Sequence, residues 1–335
     1  RPHLYGAAAT LVLVLLALPA LGLKTGMPSI KVVPRDDPSR VGYEQVQQAF
    51  GAGSPGALQL VGPSADVAAA AAVAARDAGI GRALPPQPGG GGLALAQAIP
   101  TSDPSDPAVG ETIERLRDTL PASVYVGGAV AENHDLEAAL AAKTPLVIGV
   151  VLVLGFLLLL VALQAPLIAA LGVATNLLAT GAAFGVGRLI FQDGRWTGLL
   201  GYESQGFLDA WAPVFFFAMI FAISMDYTVF LLASAKEHYD RTGDPREAAI
   251  GGLAHSGRVI FAAAAVMVAV FFTFALSGPL PPKEMGVILV ISMLLHPPLS
   301  PLVLTPSPLP ALGHRAWALP RWLDRILPNV SFGHG

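Results

Sequence analysis

The stretch FAISMDYTVFLLASAKEHYDRTGDPREA, from Phe221 to Ala248, carries an acidic residue inside an apolar run. The run extends from Trp211 to Leu232, and Asp226 and Tyr227 lie toward its end. A carboxylate at membrane depth costs roughly 2.5–3.5 kcal/mol on insertion scales, so such a residue is expected to face the interior of a helix bundle. Asp226 is therefore the leading candidate for a functional residue.

The composition is that of a membrane protein with a soluble part. Of the 335 residues, 53% are hydrophobic and 13% are charged, whereas soluble domains carry about 25% charged residues. The net charge of −3 is small and argues against nucleic acid as a partner. The absence of cysteine excludes disulfides, thiolate metal sites and cysteine nucleophiles.

The first apolar run extends from Leu4 to Leu23. This run of about 20 residues is long enough to cross a bilayer core, so we predict a first transmembrane helix within residues 1–23. The alternative is a secretory signal peptide, with ALPA at residues 17–20 as a cleavage-like site.

Residues 24–143 alternate short β-like runs with helix-like runs, which predicts a small α/β domain. The predicted strands are SIKVV (29–33), ALQLVG (57–62), LALAQAI (93–99) and SVYVGG (123–128), and the predicted helices are 40–50, 66–77 and 106–120. The sequence shows no nucleotide-binding or metalloprotease motif. Glu132, His134 and Asp135 lie close together, and we interpret them as solvated rather than as metal ligands.

Residues 144–306 predict five further membrane helices. The expected spans are 145–163, entered from a helix at 132–142, then 167–190, 210–232, 258–276 and 284–304. The turn Gln164–Pro166 makes the first two a tight hairpin, and residues 192–209 form a polar loop. Residues 236–257 are charged and predict a cytoplasmic amphipathic helix. Asn176, inside the second of these spans, predicts a hydrogen bond between helices.

Positively charged residues in short loops set the orientation in a membrane. They occur after the fourth helix and in the tail 307–335, at Lys236, Arg241, Arg246, Arg258, Arg315, Arg321 and Arg325. Both segments are therefore predicted to be cytoplasmic, with residues 24–143 outside and both termini inside. The fold class is an α-helical membrane bundle of about six transmembrane helices with an extracytoplasmic α/β domain, located in the cell membrane.

Three segments carry a resemblance to a known family. The stretch SMDYTVFLLASAKEHYDRTGDPREAAIGGLAHSGRVIFAAAAVMVAVF (224–271) resembles the fourth and fifth helices of the MMPL branch of the RND superfamily of proton-driven exporters. Residues 311–328 resemble the tail of that family, and residues 21–51 resemble the entry to its second porter domain. The resemblance covers only the C-terminal half of a family member, which contains two six-helix halves. We therefore expect this chain to be a fragment without the first half.

The resemblance implies a site and a function. In this family an Asp–Tyr pair in the fourth helix forms the proton relay, which Asp226 and Tyr227 match here; a buried acid paired with a cation for packing alone is the other interpretation of Asp226. Ser224, one turn before Tyr227, is a further candidate. The family implies a ferredoxin-like porter domain, export of lipids or other hydrophobic compounds, and coupling to protons. The expected partners are membrane lipids and the missing N-terminal half or a second copy; we expect neither cofactor nor metal, and no enzymatic activity.

The last helix departs from the family pattern, which has an Asp followed by an Arg. Here the sequence reads LLHPPLSPLVLTPSPLP (294–310), with His296 in the place of the Asp. His296 is a candidate relay residue, and the alternative is a lipid- or interface-facing residue in a disrupted helix. The prolines after it predict a helix break. A local frameshift within 296–310 would explain this segment, and resequencing tests that hypothesis.

Two other functions remain open from the sequence. One is a half-size RND-like transporter that works as a dimer, in the way that SecD and SecF pair. The other is a non-transporting membrane assembly factor. A simple membrane anchor has no need of Asp226, which favours the transporters.

Overall fold

The computed structural model describes residues 2–299, 312–325 and 327. Its α-helices are α1 (Pro2–Ala17), α2 (Pro38–Phe50), α3 (Ser64–Ala74), α4 (Pro107–Thr119), α5 (Ala129–Leu163), α6 (Pro166–Gly187), α7 (Thr197–Leu200), α8 (Ala212–Thr242), α9 (Pro245–Ala275), α10 (Leu280–Leu299) and α11 (Arg321–Asp324). Its strands are β1 (Thr25–Gly26), β2 (Leu58–Pro63), β3 (Ile80–Ala83), β4 (Gln87–Pro88), β5 (Leu93–Pro100), β6 (Tyr125–Gly127) and β7 (Leu208–Asp209).

The chain divides into two compact units. Residues Thr25–Ala142 form one of them, which we call the α/β unit. Residues Arg1–Lys24 and Lys143–Gly335 form the other, which we call the helical unit.

The α/β unit is built on an antiparallel sheet with the strand order β3-β5-β2-β6, and β4 pairs with β5. Apart from the two-residue β4, its sheet-forming elements follow the order β-α-β-β-α-β along the chain. Side chains alternate along β5, so that Ala94, Ala96 and Ala98 are buried. Val67 of α3 and Ile113 of α4 belong to the same hydrophobic core, so both helices cover the buried face of the sheet.

The structure confirms three predicted strands and three predicted helices of this unit, with small shifts of their ends. The predicted strand SIKVV is wrong, because Ile30–Val32 form a single 3₁₀ turn. The hydroxyl of Ser29 caps this turn by accepting a hydrogen bond from the backbone N–H of Lys31, at 3.2 Å. A short apolar run with a serine before it can therefore form a capped turn instead of a strand. Strand β3 was not predicted.

Among the residues that the structure describes, five helical segments are long and apolar enough to cross a membrane: Leu4–Gly22, Ala129–Leu163, Pro166–Gln192, Ala212–Thr242 and Pro245–Ala275. The chain is therefore a multi-pass membrane protein. Six spans were predicted, and the sixth falls in α10. This 20-residue helix includes Lys283, Glu284 and two prolines, and it is not among the five apolar segments.

Helix α10 corrects part of the prediction for the last span. The helix continues through Pro297 and Pro298 to Leu299, the last described residue of this part of the chain, so the expected break does not occur at these two prolines. Residues 300–311 lie outside the described residues, and with them most of the divergent segment and the start of the predicted tail. The frameshift hypothesis stays a hypothesis.

The predicted single amphipathic helix at 236–257 is wrong. Helix α8 continues from the apolar run to Thr242, and α9 begins at Pro245, so the charged residues form the adjoining ends of two long helices. Gly243 ends α8 with a φ of +70°, a conformation that glycine adopts easily. The carboxylate of Asp244 then caps α9 by accepting from the N–H of Arg246, at 2.8 Å.

Two connections also differ from expectation or refine it. Helix α5 is continuous from Ala129 to Leu163, with Pro145 inside it, and its hairpin to α6 turns at Gln164, which has a φ of +51°. The predicted polar loop 192–209 contains the short helix α7 and the two residues of β7.

Part of the tail packs against the end of α8. The ring of Tyr239 stacks on that of Trp317 with centroids 4.8 Å apart. The hydroxyl of Tyr239 also hydrogen-bonds His314 Nδ1, at 2.9 Å. Tyr239, in the segment predicted as a cytoplasmic amphipathic helix, therefore contacts the tail.

Candidate functional site

Asp226 and Tyr227 lie on different sides of α8. Asp226 is exposed, whereas Tyr227 is 9% exposed. One residue is a rotation of about 100° around an α-helix, because a turn has 3.6 residues. Asp226 forms no hydrogen bond or ion pair with any of the described residues.

The expectation that Asp226 faces the interior of the bundle is wrong for the bundle formed by this chain. The buried face of α8 carries Ile220, Ser224, Tyr227, Thr228 and Leu231, which pack within the helical unit. Asp226 lies outside that stripe. An insertion cost argues that a membrane carboxylate is covered, but it does not specify which helices cover it.

The surface around Asp226 is apolar. Phe215, Ala222 and Phe230 are exposed on the same side of α8, at spacings of whole helical turns from Asp226. In a bilayer this face meets either lipid or other helices. A lone carboxylate on it is the feature that needs a partner, because ionisable residues in membrane helices almost always face protein or a water-filled cavity.

Ser224 is fully buried one turn before Tyr227, on the face predicted from the sequence. Its hydroxyl donates to the carbonyl oxygen of Phe221, at 3.0 Å. The hydroxyl is thus bonded within its own helix. Ser224 and Tyr227 lie on the same, buried side of α8. Neither residue lies on the exposed side that carries Asp226.

His296 lies in a buried polar cluster with Asn176 and Thr228, contributed by α10, α6 and α8. Asn176 Oδ1 accepts from Thr228 Oγ1 at 3.0 Å and lies 2.5 Å from His296 Nε2. The predicted hydrogen bond of Asn176 between helices is therefore confirmed. The alternative of a lipid-facing His296 is wrong, because its side chain is fully buried. No hydrogen bond or ion pair links His296 to Asp226 in the described part of the chain.

Of the group Glu132, His134 and Asp135, the last two are engaged with neighbouring side chains in the α/β unit. His134 Nε2 lies 2.8 Å from Glu114 Oε1. Asp135 accepts from both terminal nitrogens of Arg117, at 2.6 and 2.8 Å. These contacts link side chains of α4 to side chains at the start of α5.

A second group of buried charges was not predicted from the sequence. Lys283 and Glu284, at the start of α10, are 5% and 1% exposed, and Asp209, before α8, is 8% exposed. Burial raises the pKa of Asp209. The sequence held one signal for this group, the Lys-Glu pair beside an apolar run. Lysine and glutamate are rarely fully buried, so such a pair next to an apolar segment is unusual.

Comparison with known families identifies the chain. Residues 93–328 match the model of the MMPL family. This chain belongs to the MMPL family. The match covers the sheet strands β5 and β6, the membrane helices from α5 onward and α11. The resemblance seen in the sequence is thereby confirmed.

Individual MMPL relatives align over almost the whole chain. The chain is 34% identical to "Heme uptake protein MmpL11" of Mycobacterium tuberculosis, with 99% of this chain and 36% of the relative covered. It is 31% identical to "Mycolic acid-containing lipids exporter MmpL11" of Mycolicibacterium smegmatis, with 99% and 37% covered. It is 27% identical to "Trehalose monomycolate exporter MmpL3" of Mycobacterium tuberculosis, again with 99% and 37% covered. The chain thus spans little more than a third of the length of these relatives.

Proposed function

We propose that this MMPL chain is one half of a transporter that uses the proton-motive force to export lipids or other hydrophobic compounds across the cytoplasmic membrane. Family membership supports transport, and two of the similar proteins are named as exporters of mycolic acid-containing lipids and of trehalose monomycolate. A third is named as a haem uptake protein. Catalysis of a chemical reaction forms no part of this proposal.

The observation that carries the proposal is the exposed Asp226 on an apolar face of α8. A carboxyl group has a protonated and an ionised form, so it can carry one proton. It binds a proton when it is open to one side of the membrane and releases the proton when it is open to the other. Each proton that moves down 100 mV supplies about 2.3 kcal/mol. This energy drives the change of conformation.

The partner of Asp226 in this proposal lies outside the chain. The exposed face of Ala222, Asp226 and Phe230 packs against the other six-helix half of the transporter, or against a second copy of this chain. Tyr227, on the buried side of α8, is the second residue of the proposed relay within this half. Ser224 packs on the same buried side of α8, and His296 belongs to the buried cluster with Asn176.

The rest of the chain takes the following places in the proposal. The α/β unit serves as a ferredoxin-like porter domain, which its strand order and element order support. We place it outside the membrane from the orientation that the positive residues predict. The junction of α8 and α9 and the tail are cytoplasmic, following their positive charges.

The test is Asp226→Asn, assayed in cells or proteoliposomes with an imposed proton gradient. The amide has nearly the shape of the carboxyl group and cannot carry the proton, so proton-coupled efflux is expected to be lost while the amount of protein in the membrane is unchanged. Glu237→Gln is the matched control, because Glu237 is an exposed acid on the same helix, beyond the apolar run. Undiminished efflux in Asp226→Asn contradicts the relay.

A half-size transporter that works as a dimer is the second candidate. The exposed apolar face with one acid favours it over a non-transporting assembly factor, since a second copy would cover the face just as another half would. Co-expression of two differently tagged copies, followed by purification through one tag, distinguishes a dimer from a pairing with another half.

A further inference from the structure

The inference concerns the group of buried charges at the start of α10. Glu284 Oε2 accepts a hydrogen bond from the backbone N–H of Asp209, at 3.3 Å. The carboxylate of Asp209 accepts from the N–H of Trp211, at 3.0 Å. The two acids are therefore neighbours, and no residue in the described ranges donates a hydrogen bond to Glu284 Oε1.

Lys283, the residue next to Glu284, does not neutralise the two acids. Lys283 Nζ donates to the carbonyl oxygens of Leu200 and Gly201, at 2.5 and 3.3 Å. These carbonyls lie at the end of α7, where a positive charge is favourable because the last carbonyls of a helix have no partner in it. Neither Lys283 nor Glu284 forms an ion pair in the part of the chain that the structure describes.

Arg188 and Tyr202, two other titratable groups at this end of the bundle, are engaged or neutral. Arg188, at the end of α6, donates to the carbonyl oxygen of Pro19 at 2.7 Å and lies 3.8 Å from Asp193. Tyr202 donates to the carbonyl oxygen of Ile190. Burial, together with the charge of Glu284, raises the pKa of Tyr202 to about 12, so this phenol stays neutral. Helix α9 meets α10 at Gly286 through the backbone of Phe271 and Ala275 and presents no charge there.

Two buried carboxylates without a cation are unfavourable in two ways. Each loses its hydration, and each repels the other. A proton on one of them removes both penalties. We propose that Glu284 and Asp209 hold one proton between them at neutral pH and form a proton-binding site at the end of the bundle where α8 begins.

This site is separate from Asp226. Asp226 follows Ala212 by 14 residues, which is about 21 Å along a helix. A proton cannot pass directly over that distance. The protonation of the pair does not depend on transport, so it can be tested apart from the proposed function.

The experiment is infrared spectroscopy of the purified full chain in lipid, recorded over a range of pH. All samples carry Asp226→Asn, so the proposed relay acid contributes no signal. We expect the C=O band of a protonated carboxyl group at neutral pH, and its loss at alkaline pH. Glu284→Gln removes this band while keeping an oxygen that can accept from the N–H of Asp209. Asp193→Asn is the control, because it removes an exposed acid of the same connection and leaves the band unchanged.

A second variant tests whether Glu284 and Asp209 share the proton. Asp209→Asn keeps an oxygen that can accept from Trp211 and removes the negative neighbour of Glu284. The band is then expected to persist and to titrate at a lower pH, because repulsion no longer favours the proton. The proposal is overturned if the band is absent at neutral pH in the Asp226→Asn protein, if Glu284→Gln leaves it unchanged, or if Asp209→Asn leaves its titration in place. Circular dichroism confirms that each variant keeps its helices.

Discussion

Thr228 of α8 donates a hydrogen bond to the side-chain oxygen of Asn176 of α6, at 3.0 Å, and both side chains are almost completely buried. The same hydroxyl lies 3.0 Å from the carbonyl oxygen of Ser224 in its own helix. Apolar side chains gain little from burial against each other when the surroundings are lipid, so a polar contact of this kind contributes to helix association.

Replacing Thr228 by Val should therefore weaken the contact between α6 and α8. Valine keeps the shape and removes the donor, and interhelical hydrogen bonds in membranes average about 0.6 kcal/mol. We expect a loss of that order in the free energy of unfolding, measured by denaturation in mixed micelles. Thr175→Val is the control, because the Thr175 hydroxyl donates only to Gly172 of its own helix. Equal losses in both variants would contradict a special role for Thr228.

Residue patterns sufficed to predict the hydrogen bond of Asn176, because an amide in an apolar run has few other partners. Its partners were not predictable. Thr228 is one of several hydroxyl residues on α8, and His296 lies 120 positions away on α10. Only the packing of three helices brings them together.

The side of α8 on which Asp226 lies could not be predicted from the sequence either. An apolar run surrounds it on all sides of the helical wheel, so periodicity does not distinguish the face that packs in this chain from the face that remains open. By contrast, the junction of α8 and α9 was readable in Gly243, Asp244 and Pro245, which are typical residues for a helix end, a cap and a first turn. The charged flanks on both sides hid that signal by giving a continuous amphipathic pattern.

Gly252 of α9 allows a close approach to α8. A Cβ atom at this position would lie 2.8 Å from the Cα of Ala235, closer than real Cβ contacts allow. Gly252→Ala is therefore expected to destabilise the helical unit by about 1–3 kcal/mol, the usual effect of overpacking. Gly257→Ala, five residues later on the same helix, meets nothing within 4 Å. It should be neutral or slightly stabilising because alanine favours helices. Thermal unfolding in detergent measures both.

The ion pair of Asp77 and Arg115 gives the α/β unit a dependence on pH. The hydrogen bonds from Arg115 lower the pKa of Asp77 below its ordinary value of 3.8. Its ionised form therefore stabilises the fold. This contribution is complete above the unfolded pKa and is lost as the pH falls through the lower folded pKa.

The variant Arg115→Gln tests this dependence. Because the pair is partly exposed, solvent screens it and its contribution at neutral pH is small. The difference in stability from the unmodified chain should shrink below about pH 4, where the carboxyl group of Asp77 becomes protonated. Hydrogen exchange of peptides from the α/β unit, followed by mass spectrometry, reports it. Arg76→Gln removes an exposed arginine next to Asp77 and serves as the control. A difference that is constant with pH contradicts the assignment to Asp77.

The open face around Asp226 can be tested by cross-linking, because the chain has no cysteine of its own. Ala222 lies one turn from Asp226 on that face and is exposed, and Ala265 is an exposed alanine on α9. If another half or a second copy covers Asp226, Ala222→Cys should react slowly with thiol reagents in membranes and form cross-links with a short bifunctional reagent. Ala265→Cys, as the matched control, should not.

The cross-linked products identify the protein segment that packs over Asp226. A linked pair of identical chains shows a second copy, and a link to a different six-helix segment shows the other half. Both outcomes agree with the cost of leaving a carboxyl group open to lipid. Cross-linking at Ala265 without any at Ala222 would mean that α8 faces lipid at Asp226. The acid would then have no protein partner on that face, and the proposed relay would lose its structural basis.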